Sequence, residues 1–320
     1  MDSARRRSKE GKPRKVKQEV DAGKNETFRS GFCAIVGRPN VGKSTFLNRV
    51  VGQKVTIVSD KPQTTRNKIQ CVWTTGDAQI VFLDTPGIHK PLDRLGELMN
   101  EAALEALDEV DVILFMVDGE AGPGKGDREV ASILGKASSP VLLVVNKMDR
   151  VPRPKREEAV QQFSDLGTFA GVYPISAVTG DGMAELLAAL IEQLPEGPKY
   201  YPDDWVSDHP EQFVVAELIR EKALLLTHDE VPYAIAVAVE SMGKRPDKEL
   251  VDIVATIYVE RESQKGIIIG KGGARLKEIG TLARQEIEAL LGSPVFLKLW
   301  VKVNPDWREK EGALRALGYS

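Results

Sequence analysis

The stretch Gly37-Arg38-Pro39-Asn40-Val41-Gly42-Lys43-Ser44 fits the pattern G-x-x-x-x-G-K-[ST] and follows a strand-like run, Phe32 to Val36. Glycines let the backbone curl so that successive N–H groups point inward at phosphate oxygens, and the loop feeds the positive end of a helix expected to start near Lys43. In such a loop Lys43 reaches the β- and γ-phosphates and Ser44 offers a hydroxyl to Mg²⁺, with Thr45 in the same phosphate-binding set. The pattern predicts a nucleotide polyphosphate site but leaves the base open.

A second motif reads the base. Asn146-Lys147-Met148-Asp149 has the spacing N-K-x-D and follows Val141 to Val145, so it falls at a strand's C-terminal end, where open α/β sheets bind ligands. The Asp149 carboxylate can accept from the ring N–H and exocyclic amine of guanine, while Asn146 can address the O6/N7 side. Adenine presents a lone pair where guanine presents that N–H, leaving the carboxylate unpaired at a cost of about 1 to 3 kcal/mol. Two further motifs close the set. Asp84-Thr85-Pro86-Gly87 follows Gln79 to Leu83; Asp84 suits a water-mediated Mg²⁺ contact and the Gly87 N–H a γ-phosphate contact, with Ile88 next in line. Ser176-Ala177 follows Val172 to Ile175, where a backbone N–H can complete a guanine pocket.

This set resembles the translation-factor-related branch of small GTPases, and Pro62-Gln63-Thr64-Thr65-Arg66 resembles switch I of the Era family. The resemblance implies a Thr that binds Mg²⁺ only while the γ-phosphate is present. We assign that role to Thr65, with Thr64 the alternative. Lys43, Thr65 and Gly87 are then the residues expected to act in turnover. Ras-like enzymes carry a water-orienting Gln where this chain has Ile88, which can neither donate nor accept, so slow intrinsic turnover is expected. His89 is a poorer base candidate than its position suggests, since histidine is common in surface loops. Asn40 is the better lead, because an Asn at this place in related GTPases helps to bind K⁺.

The 320 residues exceed one ordinary domain, and 42% apolar with 28% charged residues is a soluble globular composition. Alternation of strand and helix from Gly31 to Leu194 predicts an α/β domain with a mostly parallel sheet, a P-loop NTPase of Ras-like type. Prolines at 195, 198 and 202 predict a linker over 195–207. The first thirty residues hold ten Lys/Arg against five Asp/Glu with few apolar residues, and are expected to be a disordered basic tail that adds non-specific attraction to RNA or serves only solubility. Cys33 and Cys71 read as small buried hydrophobes. No run approaches the length of a membrane span, and no signal-peptide apolar region stands at the N-terminus.

Past the linker a helix, two strands, a helix, Gly270-Lys271-Gly272-Gly273, another helix and a strand over 295–303 resemble a type II KH domain, a smaller α+β unit over 208–320 whose G-x-x-G loop clamps about four nucleotides. Lys265, Lys271, Arg275 and Lys277 make this segment basic within an acidic body, and Ile267 to Ile269 could flank a groove for bases. The arrangement from Gly31 onward, with Glu217 to Lys222 and Glu230-Val231-Pro232-Tyr233, matches the Era family throughout. It implies a likewise monomeric, cytoplasmic protein, peripherally associated with the cell membrane, that binds the 3′ end of small-subunit rRNA and assists 30S assembly in its GTP state. Two other readings stay open: a switch whose C-terminal domain binds protein, and an RNA-binding module with vestigial turnover. The basic extension departs from the compact family pattern.

Overall fold

The computed structural model describes residues 28–61, 63–88 and 91–319. Residues 1–27, which hold nearly all of the expected tail, lie outside these, as do Pro62 and His89.

In the first domain the strands are β1 (Arg29–Val36), β2 (Ile69–Thr74), β3 (Ala78–Asp84), β4 (Val112–Asp118), β5 (Val141–Asn146) and β6 (Gly171–Pro174). They form one sheet in the order β2-β3-β1-β4-β5-β6, parallel except for β2. The helices are α1 (Lys43–Val51), α2 (Arg94–Asp108), α3 (Lys125–Leu134), α4 (Arg156–Ser164) and α5 (Met183–Gln193). Strands β3 and β5 are buried along their whole length, which is why they read as unbroken apolar runs rather than alternating ones. Two apolar clusters, one on each face, bury Phe46, Phe82 and Leu114 on one side and Phe115, Val130 and Phe163 on the other. The chain leaves β1 towards β3 on one side and β4 on the other, so the loop after β1 opens at the point where strand order reverses. Cys33 and Cys71 are free and buried, and burial pushes both thiols up.

Strand β1 begins at Arg29, two residues before the expected start of the domain, because Arg29 and Ser30 already pair with Ala78 and Gln79. The segment after α5 is no loose tether. Glu196 bridges Arg29, Ser207 bridges Cys71, and the Gln79 side chain holds the backbone of Tyr200 and Tyr201. Proline stops the helix there but leaves carbonyls free to accept, and Ser30 Oγ donates to the Pro198 carbonyl at 2.6 Å.

The second domain runs α6 (Glu211–Leu225), β7 (Ala236–Lys244), β8 (Val251–Val259), α7 (Glu262–Ile269), α8 (Ala274–Leu291), β9 (Val295–Val303) and α9 (Glu311–Ala316). β8 pairs antiparallel with β7 and parallel with β9, and α6, α7 and α8 cover one face of this three-stranded sheet. Strand β7 starts three residues later than its apolar run, because Pro232–Ala234 forms a single 3-10 turn. The two domains share apolar cores: Ile57 from the loop after α1 is buried in the second domain's cluster, and Leu95 and Met99 of α2 pack with Trp307, Leu314 and Tyr319.

Candidate functional site: a nucleotide cleft wired to the second domain

A cleft of about 300 Å³ opens at the C-terminal edge of β1 and β5. Pro39, Asn40, Gly42, Lys43, Ser44, Thr45, Thr65, Gly87, Asn146, Lys147, Asp149 and Ala177 line it. Gly37, Arg38, Val41, Asp84, Thr85, Pro86, Ile88, Met148 and Ser176 stand behind that lining. Ile88 is packed in the apolar core, so only its backbone can serve the cleft. Thr85 Oγ1 donates to the Ile35 carbonyl at 2.8 Å, and Arg38 pairs with Asp127 at 2.8 Å, which fixes the loop from outside.

Lys43 Nζ donates to the Gly37 and Arg38 carbonyls at 3.1 and 3.2 Å, curling the loop around its own side chain. Burial pushes its pKa down to about 8, partly opposed by Asp84. Burial likewise pushes Asp84 up to about 6, and Lys43 pulls it back. Each charge is thus held in a site too dry for it alone, the condition in which phosphate anions and a cation bind with most effect. Ser44 Oγ lies 3.2 Å from Thr65 Oγ1 and 3.3 Å from Asp84 Oδ2, and Thr65 Oγ1 lies 3.4 Å from the same oxygen. Asp84 Oδ1 is buried with no hydrogen-bond partner among the described residues. Two hydroxyls gathered at one oxygen of a carboxylate whose other oxygen has no partner make a set of hard oxygen donors that fits Mg²⁺. Thr64 Oγ1 instead turns back to the Lys61 carbonyl at 2.6 Å, which favours Thr65 for this cluster.

Asn146 has a structural task beside the one its motif suggests. Its Nδ2 donates to the Val41 carbonyl at 2.8 Å and its Oδ1 accepts from the Ala177 N–H at 2.9 Å, so it staples the phosphate loop to the Ser176-Ala177 loop. The same bond occupies the Ala177 N–H, one of the backbone groups of the Ser176-Ala177 segment expected to complete the guanine pocket. Gly42 is needed here twice over: its φ is +108°, and a Cβ would come within 2.2 Å of Asn146 Nδ2. Lys147, itself in a left-handed conformation, pairs with Asp118 at 2.6 Å. Asp149 is exposed and makes no hydrogen bond or ion pair to any described residue, leaving its carboxylate whole for a base. Arg49 of α1 donates to the Val178 and Thr179 carbonyls and holds this side of the pocket.

Beside Thr65, Arg66 leaves the first domain altogether. Its guanidinium is buried, donates to the Ile235 carbonyl at 2.6 Å and the Tyr233 carbonyl at 3.0 Å, and lies 5.6 and 5.8 Å from the ring centroids of Trp307 and Tyr319. Arg220 of α6, paired with Glu217, donates to the Thr64 carbonyl from the other side. Val58 N–H donates to Glu221 at 2.9 Å, and Lys54 bridges Glu221 and Glu286. Near α2, Arg308 pairs with the helix cap Asp93 at 2.7 Å. Nothing in the sequence marked Arg66 as more than a motif residue, because its partners lie in a segment far along the chain.

In the second domain Gly270-Lys271-Gly272-Gly273 joins α7 to α8, with φ positive at all three glycines. Lys271 and Lys277 are exposed and in no ion pair among the described residues. Lys265 sits 3.7 Å from Glu262, and Arg275 turns back onto the Ile267 carbonyl, so these two are partly committed. Of the three isoleucines expected at the groove, Ile268 is wholly buried in the core and Ile267 is exposed. Leu276, Gly280, Leu297 and Leu299 line the groove instead, a cavity of about 400 Å³ between α8 and β9.

Residues 32–147 match the family described as 50S ribosome-binding GTPase, and residues 230–308 match the KH domain family. GTPase Era of Alkaliphilus oremlandii (strain OhILAs) is 52% identical over 293 residues, 92% of this chain and 99% of the relative. GTPase Era of Staphylococcus haemolyticus (strain JCSC1435) is 55% identical over 291 residues, 91% and 97%. Among solved structures, Era in complex with MgGDPNP and nucleotides 1506–1542 of 16S ribosomal RNA superposes with a TM-score of 0.89 at 43% identity, covering 92% of this chain and 99% of that one. A variant of Aquifex aeolicus Era bound to GDP·AlF4⁻ gives the same TM-score and identity over 92% and 100%. The KH domain, the phosphate loop and the base-reading motif thus belong together in one known plan, and this chain is a member of the Era family of GTPases.

Proposed function

We propose that this protein is a slow GTP-hydrolysing timer that binds the 3′ end of small-subunit rRNA in its GTP state and assists 30S assembly. The observation that carries the proposal is the junction of Thr65 and Arg66: one residue stands at the cation cluster, and the next is gripped by the KH domain. The solved Era complex, which holds a GTP analogue and a 16S rRNA segment together, supports the same pairing of ligands. The 50S description belongs to a family model that covers only the first domain, so the choice of subunit rests on that complex.

Gly37 to Thr45 would wrap the phosphates, with Lys43 carrying charge to them, and Gly87 would offer its N–H to the γ-phosphate. Asp149 would read guanine, while Asn146 and Ala177 hold the pocket's two walls together. Ser44, Thr65 and, through water, Asp84 would hold Mg²⁺, which when bound supplies positive charge against the phosphate oxygens. With Ile88 packed away from the cleft, positioning and charge neutralisation are left to promote hydrolysis. Asn40 adds to this. Its Nδ2 donates to the Asp60 carbonyl at 2.6 Å, and its Oδ1 has no hydrogen-bond partner among the described residues, which suits a K⁺ ligand. Turnover is therefore expected to be faster in KCl than in NaCl at equal ionic strength; equal rates would remove K⁺ from the mechanism. Family resemblance further supports a cytoplasmic monomer peripherally associated with the membrane. Among the described residues no helix is long and apolar enough to cross a membrane.

Filter binding of a single-stranded rRNA 3′-end oligonucleotide, in GTP analogue and in GDP, tests the proposal. Binding is expected to be at least tenfold tighter with the analogue and to fall by more than tenfold in Gly272→Asp. That position has φ +60° and open space around it, so the variant adds local backbone strain and a negative charge beside the RNA phosphates without displacing a neighbour. Absence of RNA binding at low salt would overturn the reading in favour of a protein-binding C-terminal domain.

A further inference from the structure

Among the described residues, the face of the second sheet turned away from α6, α7 and α8 is covered at only one end, where Trp307 and the residues of α9 pack over Ala236 and Tyr258. Along that face β9 sends Phe296, Lys298, Trp300 and Lys302 to one side, since side chains alternate across a strand, with Lys302 beside Tyr258 and Phe296 farthest from it. Phe296 is 52% exposed and Trp300 49%, although both are large aromatic rings. Each ring has a cation over it: Lys298 Nζ lies 4.7 Å from the Trp300 centroid, and Arg245 Cζ 5.4 Å from that of Phe296. The neighbouring acids are engaged, Asp252 with Arg245 and Glu240 with Lys302. Lys298 makes no ion pair among the described residues. β9 is an edge strand, and its inward residues Leu297 and Leu299 line the groove beside the G-x-x-G loop. One strand therefore borders the groove with one face and carries the rings on the other.

We propose that this stripe is a second contact for single-stranded RNA, continuous with the groove around the β9 edge: Phe296 and Trp300 stack bases while Lys298 meets phosphate. It rests on the RNA-binding reading above. A G-x-x-G clamp holds about four nucleotides, whereas the RNA in the related complex spans nucleotides 1506–1542, so a strand of that kind must continue past the groove. Aromatic rings alternating with lysines suit this continuation better than they suit a protein partner. Base stacking on ring faces is indifferent to sequence and is used on the open sheets of other RNA-binding modules, and each cation can move from ring to phosphate when a base takes its place.

The test measures fluorescence anisotropy of the full chain with GTP analogue, using two probes: a six-nucleotide single-stranded RNA, and an rRNA 3′-end segment of about thirty nucleotides. Phe296→Ala/Trp300→Ala is expected to weaken the long RNA about tenfold or more and leave the short one unchanged, since one stacked ring is worth about a tenfold change. Gly272→Asp is expected to weaken both. Lys298→Glu, which keeps the rings, should weaken the long RNA alone, and a photoreactive long RNA should cross-link within residues 295–303. Equal long-RNA affinity in the wild type and in both stripe variants, or cross-links confined to the G-x-x-G loop, overturns the proposal while leaving the RNA-binding reading in place. If the wild type binds neither RNA, that reading falls and this proposal with it; if the stripe variants lose binding to a protein rather than to RNA, only this proposal falls.

Discussion

Asp149→Asn is expected to weaken GTP and GDP binding about a hundredfold or more and to move the preference to xanthine nucleotides. Guanine presents two donors in a row, its ring N–H and its exocyclic amine, and only a carboxylate accepts both. The amide keeps the shape but turns one acceptor into a donor, so a donor faces a donor. Loss of one charge-assisted hydrogen bond, worth about 1.5 to 3 kcal/mol, together with the donor left unpaired, at about 1 to 3 kcal/mol more, reaches the roughly 2.7 kcal/mol that corresponds to a hundredfold change. Xanthine carries an oxygen in place of that amine and would accept from the new amide. The structure supports a clean outcome, because Asp149 is exposed and bonded to no described residue, so the substitution costs the fold little. Titration with fluorescent guanine and xanthine nucleotides checks it; unchanged guanine affinity would show that Asp149 does not face the base.

The second large effect falls on communication rather than on binding. Arg66→Ala is expected to leave GTP affinity and single-turnover hydrolysis within a few-fold of wild type, while the ratio of RNA affinities in GTP analogue and GDP collapses towards one. Arg66 does not line the cleft. What it supplies is a buried planar cation in a cage of two rings and two carbonyls. Burial is the largest influence on it and works against its charge, so the docked position depends on those partners being in place. Removing it leaves the carbonyls of Ile235 and Tyr233 without this donor and empties the ring cage, a loss at the interface set by two hydrogen bonds from a charged group, each worth about 1.5 to 3 kcal/mol. Arg66→Lys should rescue poorly, since an ammonium lacks the planar fork that reaches two carbonyls while packing against both rings. RNA titrations in both nucleotides read the ratio, and a preserved ratio would show that coupling runs elsewhere, through Lys54 and Glu221 or through Arg308 and Asp93.

What could be read from the chain divides along the distance between partners. The places of Gly37 to Ser44 and Asn146 to Asp149 at strand ends beside one cleft were legible because both are short, local patterns. The alternating elements before the linker and the G-x-x-G loop between two helices were legible for the same reason. Arg66 was not, since its cage is assembled from Tyr233, Ile235, Trp307 and Tyr319, brought to it only by domain packing. The stapling bonds of Asn146 could not be read from the chain, because its partners, the Val41 carbonyl and the Ala177 N–H, are backbone groups with no residue-type signature. Prolines marked the end of α5 correctly, but the carbonyls they leave free strap 195–207 to the sheet, and sequence pattern does not say where a carbonyl finds its donor. Ile268 went to the core and Leu297 to the groove because the register of α7 and β9 against the sheet, rather than apolarity, decides which side chain is left at an opening.

Switch I is both the expected sensor of the γ-phosphate and part of the contact surface with the KH domain, so a change at Thr65 cannot leave Arg66 and its cage unaffected. The direct measurement is an interdomain distance by energy transfer, between dyes on cysteines introduced at exposed Glu129 of α3 and exposed Glu249 before β8, with buried Cys33 and Cys71 left untouched. The distance is expected to differ between GTP analogue and GDP in the wild type, and to become the same in both nucleotides in Arg66→Ala. A wild-type distance that does not change with nucleotide would contradict the account.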